Sequence, residues 1–118
     1  MNTFPSPAAD FDDYHLDLNR FFMPRRAATY IVRMRGDSMV GDGILDGDYL
    51  VVDTSLEATP GTLILGWFAT EFVVGYFRKT PKATLVEFSN PAFKPVQITQ
   101  SSDFWVWGVI TGVCRKLA

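Results

Sequence analysis

From Thr29 onward, short runs of apolar and β-branched residues are separated by turn residues. The predicted strands are TYIVRM (29–34), DGDYLVVD (46–53), TLILGWF (62–68), EFVVGYF (71–77), ATLVEFS (83–89), PVQIT (95–99) and FWVWGVITGVC (104–114). Ala69-Thr70 separates two of these runs and predicts a hairpin. Turn signals recur about every 8–12 residues, and no run has the pattern of a long amphipathic helix. The pattern predicts an all-β domain, either a sandwich or an open barrel.

Residues 1–27 have a different pattern, with three prolines and no alternation of period two. Asp10 is a suitable cap for a short helix that runs through Leu18, and Pro24 ends any helix that begins there. We therefore expect an extended N-terminal arm with one short helix at 1–27 and a β domain at 28–118.

The last predicted strand carries apolar residues on both of its expected faces. One face has Trp105, Val109 and Thr111, and the other has Phe104, Val106, Gly108 and Ile110. A fully buried strand and a strand at a dimer interface both explain this pattern.

Composition and charge exclude several classes of protein. The chain has 118 residues, enough for one domain, a formal net charge of −2 and a pI of about 5.2. A protein that holds DNA through its phosphates normally carries a basic excess, so direct, sequence-specific nucleic-acid binding is disfavoured. No apolar run reaches the roughly 18 residues of a membrane span, and no secretory signal precedes the domain. We expect a cytoplasmic protein that has no membrane partner.

Few residues are available for metal or cofactor chemistry. The single cysteine, Cys114, excludes an internal disulfide and a cysteine zinc cluster, and it lies in an apolar run where a small buried residue is expected. Four aspartates lie between Asp37 and Asp48, but the segment lacks the start and the terminal glutamate of an EF-hand, so turns are preferred to a calcium loop. We expect no metal and no cofactor.

Ser38 is the candidate nucleophile because it lies in Gly-Asp-Ser-Met, on a turn between two predicted strands. A serine hydroxyl needs a base within hydrogen-bond reach. The single histidine, His15, lies among charged residues of the arm, where a solvated side chain is expected. A buried, neutral lysine can replace histidine, but no lysine lies inside an apolar strand. From the residues alone, Ser38 is either a nucleophile or a turn serine that bonds to local backbone.

Several motifs together resemble the UmuD family of SOS mutagenesis proteins, which is related to LexA. They are FPSPAAD, DLN, GDSM, DGDYLVVD and EFVV, and they extend over nearly the whole chain. The resemblance implies a mostly β, signal-peptidase-related fold with a Ser-Lys dyad. It also implies self-cleavage of the arm on a RecA–DNA filament, after which the shortened product forms a homodimer and joins a Y-family translesion polymerase.

The chain departs from the family at the residue that the chemistry requires. Ser38 matches the nucleophile, but the family lysine falls at Gly75, which Tyr76 follows. Lys79 keeps the strand parity of position 75, but four residues of strand separate them by roughly 13 Å. We expect Ser38 to lack an activator. We also expect Asp37, Met39 and Tyr76 to line the cleft, and Gly75 to leave a space beside Ser38 unless Tyr76 or Phe77 fills it.

A second departure concerns the arm, because only Met1-Asn2-Thr3 precede FPSP where the family has a cleavable segment. The expectation is a protein that is encoded in the processed, short form. We therefore expect a catalytically inactive, homodimeric accessory subunit of a translesion polymerase, with a RecA filament and a full-length UmuD-like relative as further partners. The alternative is an active peptidase that cleaves in trans through Ser38. The basic cluster at MPRR, Arg33 and Arg35 is either solvated charge or a contact for an acidic partner.

Overall fold

One antiparallel sheet of seven strands forms the body of the molecule. A computed structural model describes residues 16–118. The strands are β1 (Thr29–Arg33), β2 (Tyr49–Asp53), β3 (Leu63–Phe68), β4 (Glu71–Lys79), β5 (Thr84–Glu87), β6 (Val96–Ile98) and β7 (Phe104–Cys114), in the spatial order β1-β2-β7-β3-β4-β5-β6. Each predicted run contains one strand, so the all-β prediction is confirmed. The sandwich alternative does not describe the fold, because all seven strands belong to one sheet.

The helical segments are short. Among residues 16–118 they comprise one α-helix, α1 (Leu18–Phe22), and two 3₁₀ turns, Arg26–Ala28 and Val40–Asp42. The Asp17 carboxylate accepts hydrogen bonds from the backbone N–H groups of Asn19 and Arg20 and so caps α1. The predicted cap at Asp10 and the predicted environment of His15 lie outside the described residues. No helix among residues 16–118 is long and apolar enough to cross a membrane.

The larger hydrophobic cluster lies on one face of the sheet, and its buried members are Met34, Met39, Ile44, Leu50, Val52, Leu65 and Ile110. Val51, Ile64, Val86 and Val109 are buried on the opposite face. The members of the larger cluster come from the strands and from the segment 34–44 that joins β1 to β2. This segment includes Ser38, so the packing of Met34 and Met39 fixes the position of the candidate nucleophile.

The predicted face assignment of β7 is wrong, because two irregularities interrupt the alternation of its side chains. One changes the register between Leu65↔Gly108 and Gly66↔Val106, and the other lies between Val51↔Gly112 and Val52↔Ile110. Each inserts one extra residue on β7, and each extra residue reverses the faces that follow. Trp105 and Ile110, which period two places on opposite faces, therefore both face the core side.

Ion pairs join the two ends of β2 to the segment before β1 and to the C-terminal residues. Before β2, the buried Asp48 accepts hydrogen bonds from Arg115 at 2.7 Å, and the Arg115 guanidinium lowers the pKa of Asp48 from 3.8 to about 2. At the end of β2, the buried Asp53 accepts bonds from Ser55 and from Arg25 at 2.6 Å, and these bonds lower the pKa of Asp53. The segment before β1 and the C-terminal residues are thus both anchored to β2.

Candidate functional site

Hydrogen bonds donated by backbone N–H groups fix the turn that carries Ser38. Gly36 has φ +85°, a left-handed conformation that favours glycine, and its N–H donates to the Asp46 carboxylate at 2.7 Å. Beyond the turn, the Val40 N–H donates to the Asp37 carbonyl at 3.3 Å. Ser38 is half-buried, and the next residue, Met39, is fully buried. The hydroxyl is therefore held at the edge of the core.

The segment after β5 holds the other side of this turn. The Gly41 N–H donates to the Ser89 carbonyl at 2.9 Å, and the Asp42 N–H reaches the Ser89 hydroxyl at 3.2 Å. The Asn90 amide donates to the Asp37 carbonyl at 2.9 Å. Because these bonds join residues about fifty positions apart, the sequence motif around Ser38 gives no sign of them.

A cavity of about 650 Å³ opens beside Ser38. This volume lies within the usual range of ligand pockets. Its apolar wall includes Leu50, Leu65, Trp67, Phe72, Val74, Phe88 and Phe93. Its charged lining residues are Arg33, Arg35, Asp37, Glu71 and Lys94. The cavity thus combines apolar and charged lining residues.

Gly75 lies on β4 opposite Ile64 of β3, is buried, and is not among the residues that line the cavity. A Cβ atom at this position would lie 2.6 Å from Val86 Cγ1, 2.8 Å from the Glu87 carbonyl oxygen and 3.1 Å from Phe88 Cε1. The expected open space is therefore absent. It is filled by Val86 and Phe88 of the neighbouring strand and its continuation, rather than by Tyr76 or Phe77.

The three residues expected to line the cleft have different positions. Asp37 lines the cavity, whereas Met39 and Tyr76 are not among its lining residues. Met39 belongs to the buried core, and Tyr76 packs against that core. The Asp42 carboxylate, together with burial, raises the pKa of the Tyr76 hydroxyl above its usual value of 10.0.

Within residues 16–118, no side chain donates to or accepts a hydrogen bond from the Ser38 hydroxyl. Lys94 lies in the loop between β5 and β6, is exposed, and lines the same cavity as Ser38. Sequence reasoning set Lys94 aside because it lies outside an apolar strand. Only the docking of segment 88–94 beside the Ser38 turn brings the two residues to one cavity, and no local sequence signal predicts that docking.

Comparison with known proteins agrees with this geometry. Residues 2–111 match the Peptidase S24-like family. Protein SamA of Salmonella typhimurium is 35% identical over 113 residues, which cover 96% of this chain and 78% of SamA. Protein ImpA of the same species is 33% identical over 114 residues, which cover 96% of this chain and 77% of ImpA. Protein MucA of Escherichia coli is 35% identical over 109 residues, which cover 92% of this chain and 74% of MucA.

The sheet, the Gly-Asp-Ser-Met turn and these matches define the class of protein. The chain belongs to the Peptidase S24-like family, the LexA-like serine peptidase fold. Within that family its relatives are UmuD-like proteins of SOS mutagenesis. The resemblance inferred from the sequence motifs is therefore confirmed.

Proposed function

We propose that this protein is a non-catalytic, UmuD-like accessory subunit of an error-prone translesion polymerase in the SOS response, and that it acts in the cytoplasm. The observation that carries the proposal is the environment of Gly75. The position of the family lysine holds a glycine, and the space for a side chain there is occupied by Val86, Phe88 and the Glu87 backbone. A serine without a base is a poor nucleophile at neutral pH.

The cavity supports binding as the remaining role of the site. Ser38, Asp37 and the apolar wall surround a space of about 650 Å³. Among the described residues, no base lies within hydrogen-bond distance of the Ser38 hydroxyl. Such a cavity can hold a peptide without cleaving it. The proposed partners are a translesion polymerase subunit, a RecA filament and a full-length UmuD-like relative.

A peptide-cleavage assay tests the proposed loss of catalysis. A peptide that spans the cleavage site of a full-length UmuD-like relative is incubated with the wild type, Ser38→Ala and Gly75→Lys from pH 7 to 10, and the products are read by intact mass. We expect no cleavage by any of the three proteins, because a lysine at position 75 meets the Glu87 backbone. Cleavage by the wild type that disappears in Ser38→Ala contradicts the proposal.

The accessory role is tested in cells that lack their own UmuD-like protein. Expression of this chain with a translesion polymerase is expected to restore mutagenesis after ultraviolet damage, and Ser38→Ala is expected to restore it equally. No restoration with any UmuD-dependent polymerase contradicts the accessory role.

A second candidate function is peptide cleavage in trans, which the position of Lys94 favours. Lys94 and Ser38 line one cavity, so Lys94 is the lysine that the fold presents to the candidate nucleophile. Its exposure argues against a base, because the lysine of a Ser-Lys dyad is held in a buried site. If the wild type cleaves the peptide, this candidate predicts that Lys94→Met abolishes cleavage and that Lys82→Met, a change at another exposed lysine, does not.

The homodimer is proposed to form through α1 and the adjacent half of β7. On α1, Leu18 is 59% exposed and Phe21 is 62% exposed. Phe22 packs over Gly112, which places α1 beside the second half of β7. In that half β7 pairs with β2, whereas its pairing with β3 ends at Val109. The exposed apolar side chains of α1 thus adjoin the second half of β7, whose edge opposite β2 has no partner among the described residues.

A further inference from the structure

The sheet ends in two edge strands that differ in their protection against pairing. The edge strand β6 has three residues, and Pro95 immediately precedes it. The opposite edge strand, β1, has five residues and contains no proline. Its Tyr30 and Ile31 are 48% and 52% exposed. Short length and proline keep sheet edges from pairing with other chains, and β1 has neither.

The hydrogen-bond pattern of β1 shows which backbone groups face outward. The Thr54 N–H donates to the Ala28 carbonyl at 2.8 Å, and the Met34 N–H donates to the Asp48 carbonyl at 2.7 Å. Even-numbered residues of this segment therefore bond to the β2 side. Antiparallel pairing alternates, so the N–H and C=O groups of Ile31 and Arg33 point away from the sheet. Within the described chain these groups have no strand to pair with.

The charge beside this edge is positive, although the whole chain has a net charge of −2. Exposed arginines stand at both ends of β1, with Arg26 before it and Arg33 and Arg35 at or beyond its end. The acidic groups at either end of the neighbouring strand, β2, are already engaged. Asp48 is bound to Arg115, Asp53 to Arg25, and Asp46 accepts the Gly36 N–H.

We propose that β1 is the docking edge for an extended, acidic strand of another protein. The inference rests on the proposed binding role and names the chemistry of the partner. The partner strand would bond to the outward groups of Ile31 and Arg33, place carboxylates beside the terminal arginines, and contact Tyr30 on one face and Ile31 on the other. Main-chain bonds then give affinity, and the arginines select an acidic strand.

A second copy of β1 fits this edge poorly. Antiparallel self-pairing centred on Ile31 would match Thr29 with Arg33 of the other copy. The same register would place Arg35 opposite Ala27 and beside Arg26 of that copy. Neither arginine would then face a carboxylate, and two edges that both carry arginines repel each other. An acidic strand instead meets an opposite charge at both ends.

Amide chemical shifts of ¹⁵N-labelled protein test the proposal with three synthetic probes. The first is a seven-residue peptide of alternating valine and threonine with glutamate at both ends. The second carries lysine at both ends, and the third is the acidic peptide with N-methyl groups on all residues between the glutamates. We expect the acidic peptide to shift the amides of Ile31 and Arg33, the lysine peptide to bind at least about tenfold more weakly, and N-methylation to abolish binding.

Charge-reversed variants sharpen the test. The double variant Arg33→Glu, Arg35→Glu is expected to prefer the lysine peptide, whereas Lys79→Glu, Lys82→Glu, with the same change in charge elsewhere, keeps the wild-type preference. The proposal is overturned if the shifts centre on Ser38, if both peptides bind equally, or if a peptide of residues 8–15 of this chain competes for β1 more strongly than the acidic probe.

The failure of this inference is distinguishable from the failure of the accessory role. If the wild type restores mutagenesis and Arg33→Glu, Arg35→Glu restores it equally, the docking edge is wrong and the accessory role stands. If the wild type restores none, the accessory role is wrong whatever the peptide probes show.

Discussion

Gly75 lies on β4 at a position where an added Cβ atom would lie only 2.6–3.1 Å from three atoms of residues 86–88. The absence of a side chain at this position allows the β5 segment to pack against the β4 backbone. A lysine at this position would therefore require β5 to move.

Gly75→Ala tests this packing at the scale of one residue. The added methyl group meets Val86 and the Glu87 carbonyl oxygen, so we expect the free energy of unfolding to fall by about 1–3 kcal/mol, the usual cost of overpacking. Urea titration followed by tryptophan fluorescence measures the change. Glu71→Ala, an exposed position on the same strand, serves as the control and is expected to change stability by less than about 0.5 kcal/mol. A Gly75→Ala protein as stable as the wild type would show that the site has room for a side chain.

Asp48 makes folding sensitive to acid. Hydrogen bonds from Arg115 and the Leu45 N–H lower its pKa from 3.8 to about 2. As the pH falls, the Asp48 carboxylate is therefore protonated in the unfolded chain first, and its stabilisation is complete above about pH 5 and is lost progressively as the pH falls through 2. We expect the difference in melting temperature between the wild type and Asp48→Asn to shrink over this interval. A difference that stays constant from pH 6 to pH 2 would contradict this assignment.

At the scale of elements, Arg25 tethers the segment before β1 to the end of β2. Its side chain is about half exposed, but its partner Asp53 is buried with 2% of its side chain accessible. Removal of the guanidinium leaves a buried carboxylate with Ser55 as its remaining side-chain partner. Such a loss is expensive because a buried charge has no water to replace the missing partner.

Arg25→Ala is accordingly expected to lower the free energy of unfolding by about 1–3 kcal/mol. It should also accelerate amide hydrogen exchange in α1, since the helix loses its anchor to β2. Arg26→Ala removes the same charge one residue further on, where the side chain has no ion-pair partner among residues 16–118, and is the matched control. Equal exchange in the two variants would show that other contacts hold the helix.

At the scale of the whole molecule, the exposed face of α1 is the main determinant of the proposed homodimer. Leu18→Glu, Phe21→Glu is expected to convert a dimer to a monomer in sedimentation-velocity experiments at micromolar concentration, because charge replaces two apolar side chains at the interface. Ile31→Glu, which changes an equally exposed residue on β1, is expected to leave the dimer intact. Dissociation by Ile31→Glu instead would place the interface on β1.

Much of the molecule was predictable from local patterns. Each apolar run contains a strand, and the hairpin falls at Ala69-Thr70, where both residues have positive φ. The motif around Ser38 and the glycine at position 75 were also visible, because motifs are local in sequence. The faces of β7 were predicted incorrectly, since an extra residue in a strand leaves no mark on composition or alternation.

The sequence by itself determined the strands, the position of Ser38 and the absence of a lysine after EFVV, because each depends on residues that are close together in the chain. The tertiary structure decided what surrounds them. It brought Val86 and Phe88 onto Gly75, Ser89 and Asn90 onto the Ser38 turn, and Lys94 to the rim of the cavity. These contacts join segments about ten to fifty residues apart, and they depend on which strands become neighbours in the sheet, which local preference does not specify.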